Sequence, residues 1–271
     1  MTATYPFPDL STSPLPDLLS LRGRRAIVTG GAQGLGRAIA QRFAEAGAEV
    51  VIGDVNASLA ATAAAEITEL YGVQTTAVAM DVTDEESVAS ATTAAEQKLG
   101  GSIGIWVNNA GIFPSIPVSE MTTAEWDHVF AVNTRGTFLG AREAARRMTS
   151  GGVLINIAST AGFRGTAPGL AAYVSSKHAA RGLTKQLALE LAPRGIRVLG
   201  VAPTFVPTEG NRAAAARPSP DGIDPVDVMR PGLLGRHATP DDIARVVLFC
   251  ATGLSAVMTG STLLADAGLT I

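Results

Sequence analysis

From residue 24 onward the apolar pattern of this chain changes period repeatedly, from short unbroken runs to helical stripes and back. A short apolar run flanked by turn residues reads as a buried strand. Apolar residues at spacing three and four read as one face of a helix. Arg25–Thr29 is the first run, and Leu35, Ile39 and Phe43 follow at spacing four until Gly47 stops the helix. Runs at Glu49–Gly53, Thr76–Met80, Ile103–Val107, Gly152–Ala158, Ile196–Val201 and Thr262–Ala265 predict six more strands. Helices are predicted between them. An alanine-rich one precedes Thr76, and one opens on the Thr122/Glu125 capping-box pattern and runs toward Met148. Two more cover Tyr173–Leu191 and Pro240–Ala251, the latter with Asp241 and Asp242 in its first turn. Strands that alternate with helices pair in parallel through right-handed crossovers. The expectation is an α/β protein with a doubly wound parallel sheet of seven strands flanked by helices.

The 271 residues, 46% of them hydrophobic, suffice for one sizeable core. A formal charge of −3 without a basic stripe argues against nucleic acid or a membrane surface as partner. Arg142, Arg146 and Arg147 read as a solvated helix face. The single cysteine, Cys250, excludes an intramolecular disulfide and sits in an apolar run that reads as core. His128, His178 and His237 have no metal-ligand spacing, so no metal is expected. Residues 1–22 carry four prolines and read as an irregular tail against the body, which spans 23–271. They lack the features of a secretory leader, and no stretch of 18 apolar residues suits a membrane span. The expected setting is cytoplasmic.

In such sheets ligands bind beyond the carboxyl ends of the strands. The first strand runs into Thr29-Gly30-Gly31-Ala32-Gln33-Gly34-Leu35-Gly36, and a helix follows at once. Glycines there permit a tight turn close to a phosphate, and the helix N-terminus offers free N–H groups to a pyrophosphate. Asp54 ends the second strand, 18 residues beyond Gly36. A carboxylate there accepts both adenosine ribose hydroxyls and repels the extra phosphate of NADP. Gln33, Val55 and Asn56 bring no positive charge, and Arg37 reads as lying on the exposed helix face. The expected cofactor is NAD(H).

The spacing Gly30-x3-Gly34-x-Gly36 resembles that of the short-chain dehydrogenase/reductase family, and the resemblance extends over nearly the whole chain from Gly23. Asn108-Asn109-Ala110-Gly111 looks like the family's NNAG motif, and Asp81-Val82 like its adenine-contacting pair. Asn133 matches a catalytic asparagine, Ser159 a catalytic serine, and Tyr173-x3-Lys177 the YxxxK motif. Pro203 and Thr208 match residues near the nicotinamide, with Thr204 and Val206 between them. The resemblance implies a single-domain Rossmann fold and a homotetramer. It implies that Tyr173 moves the proton, that Lys177 tunes it and holds the ribose, and that Ser159 binds the substrate oxygen. It implies that Asn133 holds a water in a proton relay. Tyr173 and Lys177 are four apart on a predicted helix and so face the same way. An adjacent ammonium and an oxidised nicotinamide both favour the phenolate. Three positions depart from the pattern: Thr204 for a glycine, Leu199 for a frequent asparagine and Ala267 for a glycine of the terminal DGG. Thr204 puts the local backbone conformation in question.

Residues 205–236 break the alternation with Pro207, Pro218, Pro220, Pro225 and Pro231, and read as a substrate lid. Phe113, Phe163, Phe205, Met229, Leu233 and Leu234 would give it and its surroundings apolar walls, favouring an apolar, cyclic or aromatic substrate. Glu209, Arg212 and Arg217 keep a polar one open. The leading expectation is an NAD-dependent oxidoreductase acting on a secondary alcohol or ketone. The alternatives are an NADPH-linked 3-oxoacyl-thioester or sugar/polyol reductase and, from another class, a catalytically silent cofactor-sensing regulator.

Overall fold

A computed structural model describes residues 7–208 and 232–271. Its centre is a sheet of seven parallel strands: β1 (Arg25–Thr29), β2 (Glu49–Asp54), β3 (Thr75–Ala79), β4 (Ile105–Asn108), β5 (Val153–Ile157), β6 (Arg197–Pro203) and β7 (Thr262–Ala265). They lie in the order β3-β2-β1-β4-β5-β6-β7. The chain winds outward from β1 in one direction, then returns to place β4 on its other side. The carboxyl ends of β1 and β4 therefore part at a switch point, where such folds bind ligands.

The helices are α1 (Leu15–Leu19), α2 (Gly34–Glu45), α3 (Ala57–Tyr71), α4 (Glu85–Leu99), α5 (Thr123–Phe130), α6 (Gly136–Arg147), α7 (Ala171–Leu191) and α8 (Pro240–Ala251). Period-two alternation along each strand divides the core. Val50 and Ile52 pack with Ile39 and Phe43 of α2, Ile67 of α3 and Val247 of α8. Val51, between them, faces the other way, with Trp106, Val88 of α4, Leu139 of α6 and Leu191 of α7. Cys250 is fully buried in the first of these layers.

Several expectations shift. The helix expected from Thr122 to Met148 is two helices. The capping box forms as read, but residues Ala131–Arg135 make a π-turn between α5 and α6, with the Gly136 N–H reaching back five residues to the Ala131 carbonyl. The tail is not irregular throughout, because Leu15–Leu19 is helical. Its Pro16 falls in the first turn, where a missing N–H costs nothing. Leu10 and Leu18 pack over Gly253, and Leu21 is buried, so this tail does lie on the body. Arg142 and Arg147 are not simply solvated. They pair with Glu85 and Glu96 of α4, and Arg147 also pairs with the buried Glu143. Most of the expected lid, 209–231 with Met229, lies outside the described residues.

One polar chain crosses the second core layer. Trp106 Nε1 donates to Asn108 Oδ1 at 2.7 Å, and Asn108 Nδ2 donates to Asn156 Oδ1 at 2.9 Å. Asn156 Nδ2 in turn donates to Thr184 Oγ1 at 3.0 Å. Asn108 and Asn156 are register partners on β4 and β5, so the two amides meet directly. Gly140 of α6 gives them room, since a Cβ there would stand 2.2 Å from Asn108 Oδ1. A buried amide left without its partner costs about 1–3 kcal/mol. Asn156→Ala strands groups on both sides of it and should lower the free energy of urea unfolding by about 2–3 kcal/mol. A loss below about 0.5 kcal/mol would mean that the chain contributes no net stability.

Candidate active site

The glycine turn after β1 is built by close approach. Gly30 and Gly34 hold left-handed backbone, at φ +62° and +55°. A Cβ on Gly36 would lie 2.2 Å from the Gly30 carbonyl oxygen and 2.6 Å from Asn109 Nδ2. Asn109 Nδ2 donates to the carbonyls of Thr29 and Gly30, at 2.9 and 3.0 Å. The Thr29 hydroxyl accepts the N–H groups of Asn109 and Ala110, at 3.0 and 3.1 Å. The loop after β4 is thereby fastened to the turn after β1. Gln33 is the N-cap of α2, yet its side chain makes no capping bond. The first N–H groups of α2 and the positive end of its dipole remain available to an anion. A cradle that any Cβ would fill, beside an uncapped helix start, fits the pyrophosphate of a dinucleotide.

A cleft of about 990 Å³ opens over these elements. Gly30, Gln33, Gly34, Leu35 and Gly36 line it, as do Asp54, Val55, Asp81, Val82, Asn109, Ala110 and Gly111. So do Ser159, Tyr173, Lys177, Pro203, Thr204, Val206 and Thr208. All the residues read from the sequence as cofactor contacts thus share one cavity. The Asp54 carboxylate is held by the N–H groups of Ala32 (3.1 Å) and Asn56 (2.9 Å). The Asp81 carboxylate accepts the Thr83 N–H and hydroxyl, both at 2.8 Å. Arg37 is paired with Glu66 on the outer face of α2 and α3. That pairing occupies Arg37, and Arg42, the other base of α2, is occupied by Glu45 and Asp241.

At the other end, Tyr173 and Lys177 stand one turn apart on α7. Lys177 is only 6% exposed. Its Nζ donates to the Ile157 carbonyl at 2.8 Å and lies 5.7 Å from the centre of the Tyr173 ring. Burial pushes the pKa of its ammonium down to about 8. The Tyr173 phenol moves the other way. Burial raises it, and a hydrogen bond with the Ser159 side chain opposes that rise more weakly. In the protein alone desolvation dominates at Tyr173 and holds the phenol above its ordinary value. Ser159 Oγ also accepts the Ala161 N–H at 3.1 Å, which fixes its rotamer.

Asn133 sits in the π-turn and is buried behind the cleft, not on its wall. Its Oδ1 accepts the Ile112 N–H and its Nδ2 donates to the Ile112 carbonyl, both at 2.8 Å. Nδ2 also reaches Ser176 Oγ at 3.0 Å, and that hydroxyl donates to the Tyr173 carbonyl at 2.7 Å. Both Nδ2 hydrogens are thereby used, and Oδ1 has one of its two acceptor sites filled. What the amide does is tie the Ile112 loop to the helix that carries Tyr173.

Of the three aromatic residues read as substrate walls, Phe113 lines the cleft, its ring edge-on to Tyr173 at 5.9 Å. Phe163 does not. It lies under the Arg181 guanidinium, 3.6 Å from it. Phe205 does not either, since its ring meets the His237 edge at 6.2 Å. Leu233 and Leu234 are exposed. Ile112, Pro114 and Ile116 line the cleft instead. They follow the NNAG-like stretch directly, and that adjacency was the available signal. Thr204 has no left-handed backbone, so glycine is not required there, and Leu199 is buried core. Ala267 is the exception. At φ +53° it is the one non-glycine among the described residues in that region.

The chain is similar to known proteins along nearly its whole length. A family model described as enoyl-(acyl carrier protein) reductase matches residues 30–270. The chain is 35% identical to the 3-oxoacyl-[acyl-carrier-protein] reductase of Aquifex aeolicus, over 93% of this chain and 99% of that one. It is 36% identical to the D-threitol dehydrogenase of Mycolicibacterium smegmatis, over 93% and 94%. A short chain dehydrogenase from Burkholderia cenocepacia J2315, solved in complex with NADP, superposes with a TM-score of 0.84 at 33% identity, covering 93% of this chain and 99% of that one.

The glycine cradle is directly testable. A methyl group at residue 36 must displace backbone on one side or an anchoring amide on the other. Gly36→Ala should weaken NADH binding at least about tenfold, read by fluorescence titration. Affinity equal to the parent's would mean that the dinucleotide does not lie over this turn.

Proposed function

The chain belongs to the short-chain dehydrogenase/reductase family, and from that premise we propose that it is an NAD(H)-linked oxidoreductase that interconverts a secondary alcohol and a ketone. The observation that carries this reading is the cluster of Ser159, Tyr173 and Lys177, which opens on the same cleft as the glycine turn and Asp54. NAD(H), when bound, would accept or supply the hydride. Everything else falls to the chain's own groups. Ser159 and Tyr173 hold the substrate oxygen between their hydroxyls. In ketone reduction the Tyr173 phenol, kept protonated by burial, gives its proton to that oxygen. In alcohol oxidation the same oxygen, as phenolate, takes it back. Lys177 supplies the positive charge that makes the phenolate accessible and an amine to hold the ribose. Asn133 keeps the Ile112 loop and α7 in fixed relation around them.

The cofactor assignment rests on Asp54 and on the engagement of Arg37 with Glu66. A ribose phosphate would meet a carboxylate and no free base on α2 there. The substrate wall formed by Phe113, Ile112, Pro114 and Ile116 suits an apolar substituent, cyclic or aromatic. A 3-oxoacyl thioester is the second reading, favoured by the similarity to the Aquifex reductase. A silent regulator would have no need of the intact Ser159–Tyr173–Lys177 cluster. A homotetramer and a cytoplasmic setting complete the proposal and rest on the family resemblance.

Two experiments decide most of this. With any accepted alcohol, kcat/KM should be far higher with NAD than with NADP, and Asp54→Ala should weaken NAD use and narrow the gap. Equal efficiency with both cofactors in the parent would remove Asp54 from its role. Tyr173→Phe keeps the ring and should cut turnover by at least about 10². In the parent, alcohol oxidation should rise with pH, because the base form of a phenol whose ionisation is displaced upward becomes populated only as pH rises. Ketone reduction should fall over the same span. Near-normal turnover in Tyr173→Phe, or an oxidation rate that falls with pH, would assign the proton to another group.

A further inference from the structure

Among the described residues, three polar side chains line the cleft without a hydrogen-bond partner in the protein: Gln33, His128 and Thr204. Gln33 belongs to the glycine turn, and His128 is an exposed residue of α5. Thr204 is placed differently. It directly follows β6, whose neighbour β5 runs on toward Ser159.

The register locates it. Ile157 pairs with Val201, and the Ala158 N–H donates to the Val201 carbonyl at 2.8 Å. Ser159 continues the extended backbone of β5, at φ −170° and ψ 162°. Two steps along both strands, Ser159 stands opposite Pro203, and Thr204 is the next residue. With strands ~4.8 Å apart and ~3.3 Å per residue, the Cα atoms of Ser159 and Thr204 are separated by on the order of 6 Å. The chain then leaves this end. Val206 is buried, and Thr208 packs on the glycine turn, where a Cβ on Gly34 would meet its side chain at 3.3 Å. The segment from 203 to 208 thus runs from the reacting end to the phosphate end, with Thr204 at the former. Phe113 is edge-on to Tyr173 at that same end.

Resting on the dehydrogenase reading above, we propose that Thr204 is a specificity residue that binds a second oxygen on the carbon next to the reacting one, so that the preferred substrates are vicinal diols and their α-hydroxy ketones. One oxygen is held by Ser159 and Tyr173, and its vicinal neighbour falls toward Thr204. A threonine hydroxyl both donates and accepts, so it serves the substrate in either direction of the reaction. A site built to hydrogen-bond a substrate hydroxyl discriminates against the analogue that lacks it. The half-buried Thr204 hydroxyl is the one free polar group positioned for this among the described residues.

The test uses matched pairs that differ by one hydroxyl: butane-2,3-diol and butan-2-ol, cyclohexane-1,2-diol and cyclohexanol, 1-phenylethane-1,2-diol and 1-phenylethanol. In the parent with NAD, kcat/KM for the diol should exceed that for the mono-alcohol by about tenfold or more in at least one pair. Thr204→Val keeps the shape and removes the hydroxyl, and should bring that ratio to about one. Thr204→Ser restores the hydroxyl and should restore the ratio. The dissociation constant of NADH, measured by fluorescence on each variant, is the second readout. Turnover of the mono-alcohols without a diol preference in any pair overturns the role of Thr204 and leaves the dehydrogenase reading standing. A ratio unmoved by Thr204→Val, or a loss carried wholly by NADH affinity, places the hydroxyl on the cofactor and also overturns it. No turnover of any member with either NAD or NADP overturns the dehydrogenase reading and this inference with it.

Discussion

The approach of Gly36 to the Gly30 carbonyl, with the Asn109 amide clasped against both, is the contact on which the cleft depends. It joins the carboxyl ends of β1 and β4, the two strands between which the sheet changes direction. From there a bonded path runs to the opposite end. Asn109 leads through Ala110 and Gly111 to Ile112, whose peptide is gripped on both sides by Asn133. Asn133 bonds Ser176, and Ser176 bonds the backbone of Tyr173. The phosphate end and the hydroxyl end of the cleft are therefore set by one another through neutral hydrogen bonds, each inside or beside the core. Such a path transmits geometry because close-packed interiors do not deform continuously.

Two buried cations show how differently a positive charge can be accommodated. Among the described residues Arg197 has no carboxylate partner, but five oxygens surround it, including the carbonyls of Cys250 and Thr252 at the end of α8. Burial lowers it only to about 10, so it stays charged and closes a helix terminus. Lys177 has one carbonyl and an aromatic face, and falls to about 8. Its folded value lies below its unfolded one, so its charge opposes folding below about 8, and that penalty is relieved as pH rises toward the ordinary lysine range. A fold keeps such a group at a cost in stability where an anionic or electron-rich ligand will share the site.

The sequence made the alternation of strands and helices legible, because buried parallel strands are short apolar runs and their helices carry stripes. Strand limits moved by a residue or two, since hydrogen bonding continues past the last apolar side chain, as at Asp54 and Pro203. The cleft residues after β1, β2 and β4 were legible because they sit at fixed offsets from strand ends. Phe163 and Phe205 were not. An aromatic ring near an active loop carries no mark of whether it faces the cleft or, as here, a neighbouring arginine or histidine. The engaged amide of Asn133 was hidden for a related reason: its partner is a backbone peptide, which leaves no trace in residue types. The two glycine replacements had opposite outcomes, harmless at Thr204 and left-handed at Ala267, because only the dihedral angle decides whether a side chain is tolerated.

The π-turn at Ala131–Arg135 changes how the segment around it can be altered. A turn that spans five residues instead of four acts as one residue slipped into an α-helix, and each residue advances the helix by about 100°. The wider turn absorbs that step, so the apolar stripes of α5, marked by Val129, and of α6, marked by Leu139 and Ala144, are out of register in the sequence by one residue while both elements keep buried sides against the body. Removing one residue within the turn would heal the helical ladder but abolish the local backbone that carries Asn133. The Asn133 amide would then lose its grip on the Ile112 peptide. The irregular turn is a phase shifter. Substitution can tune it, whereas deletion within Ala131–Arg135 acts on the Asn133 clasp.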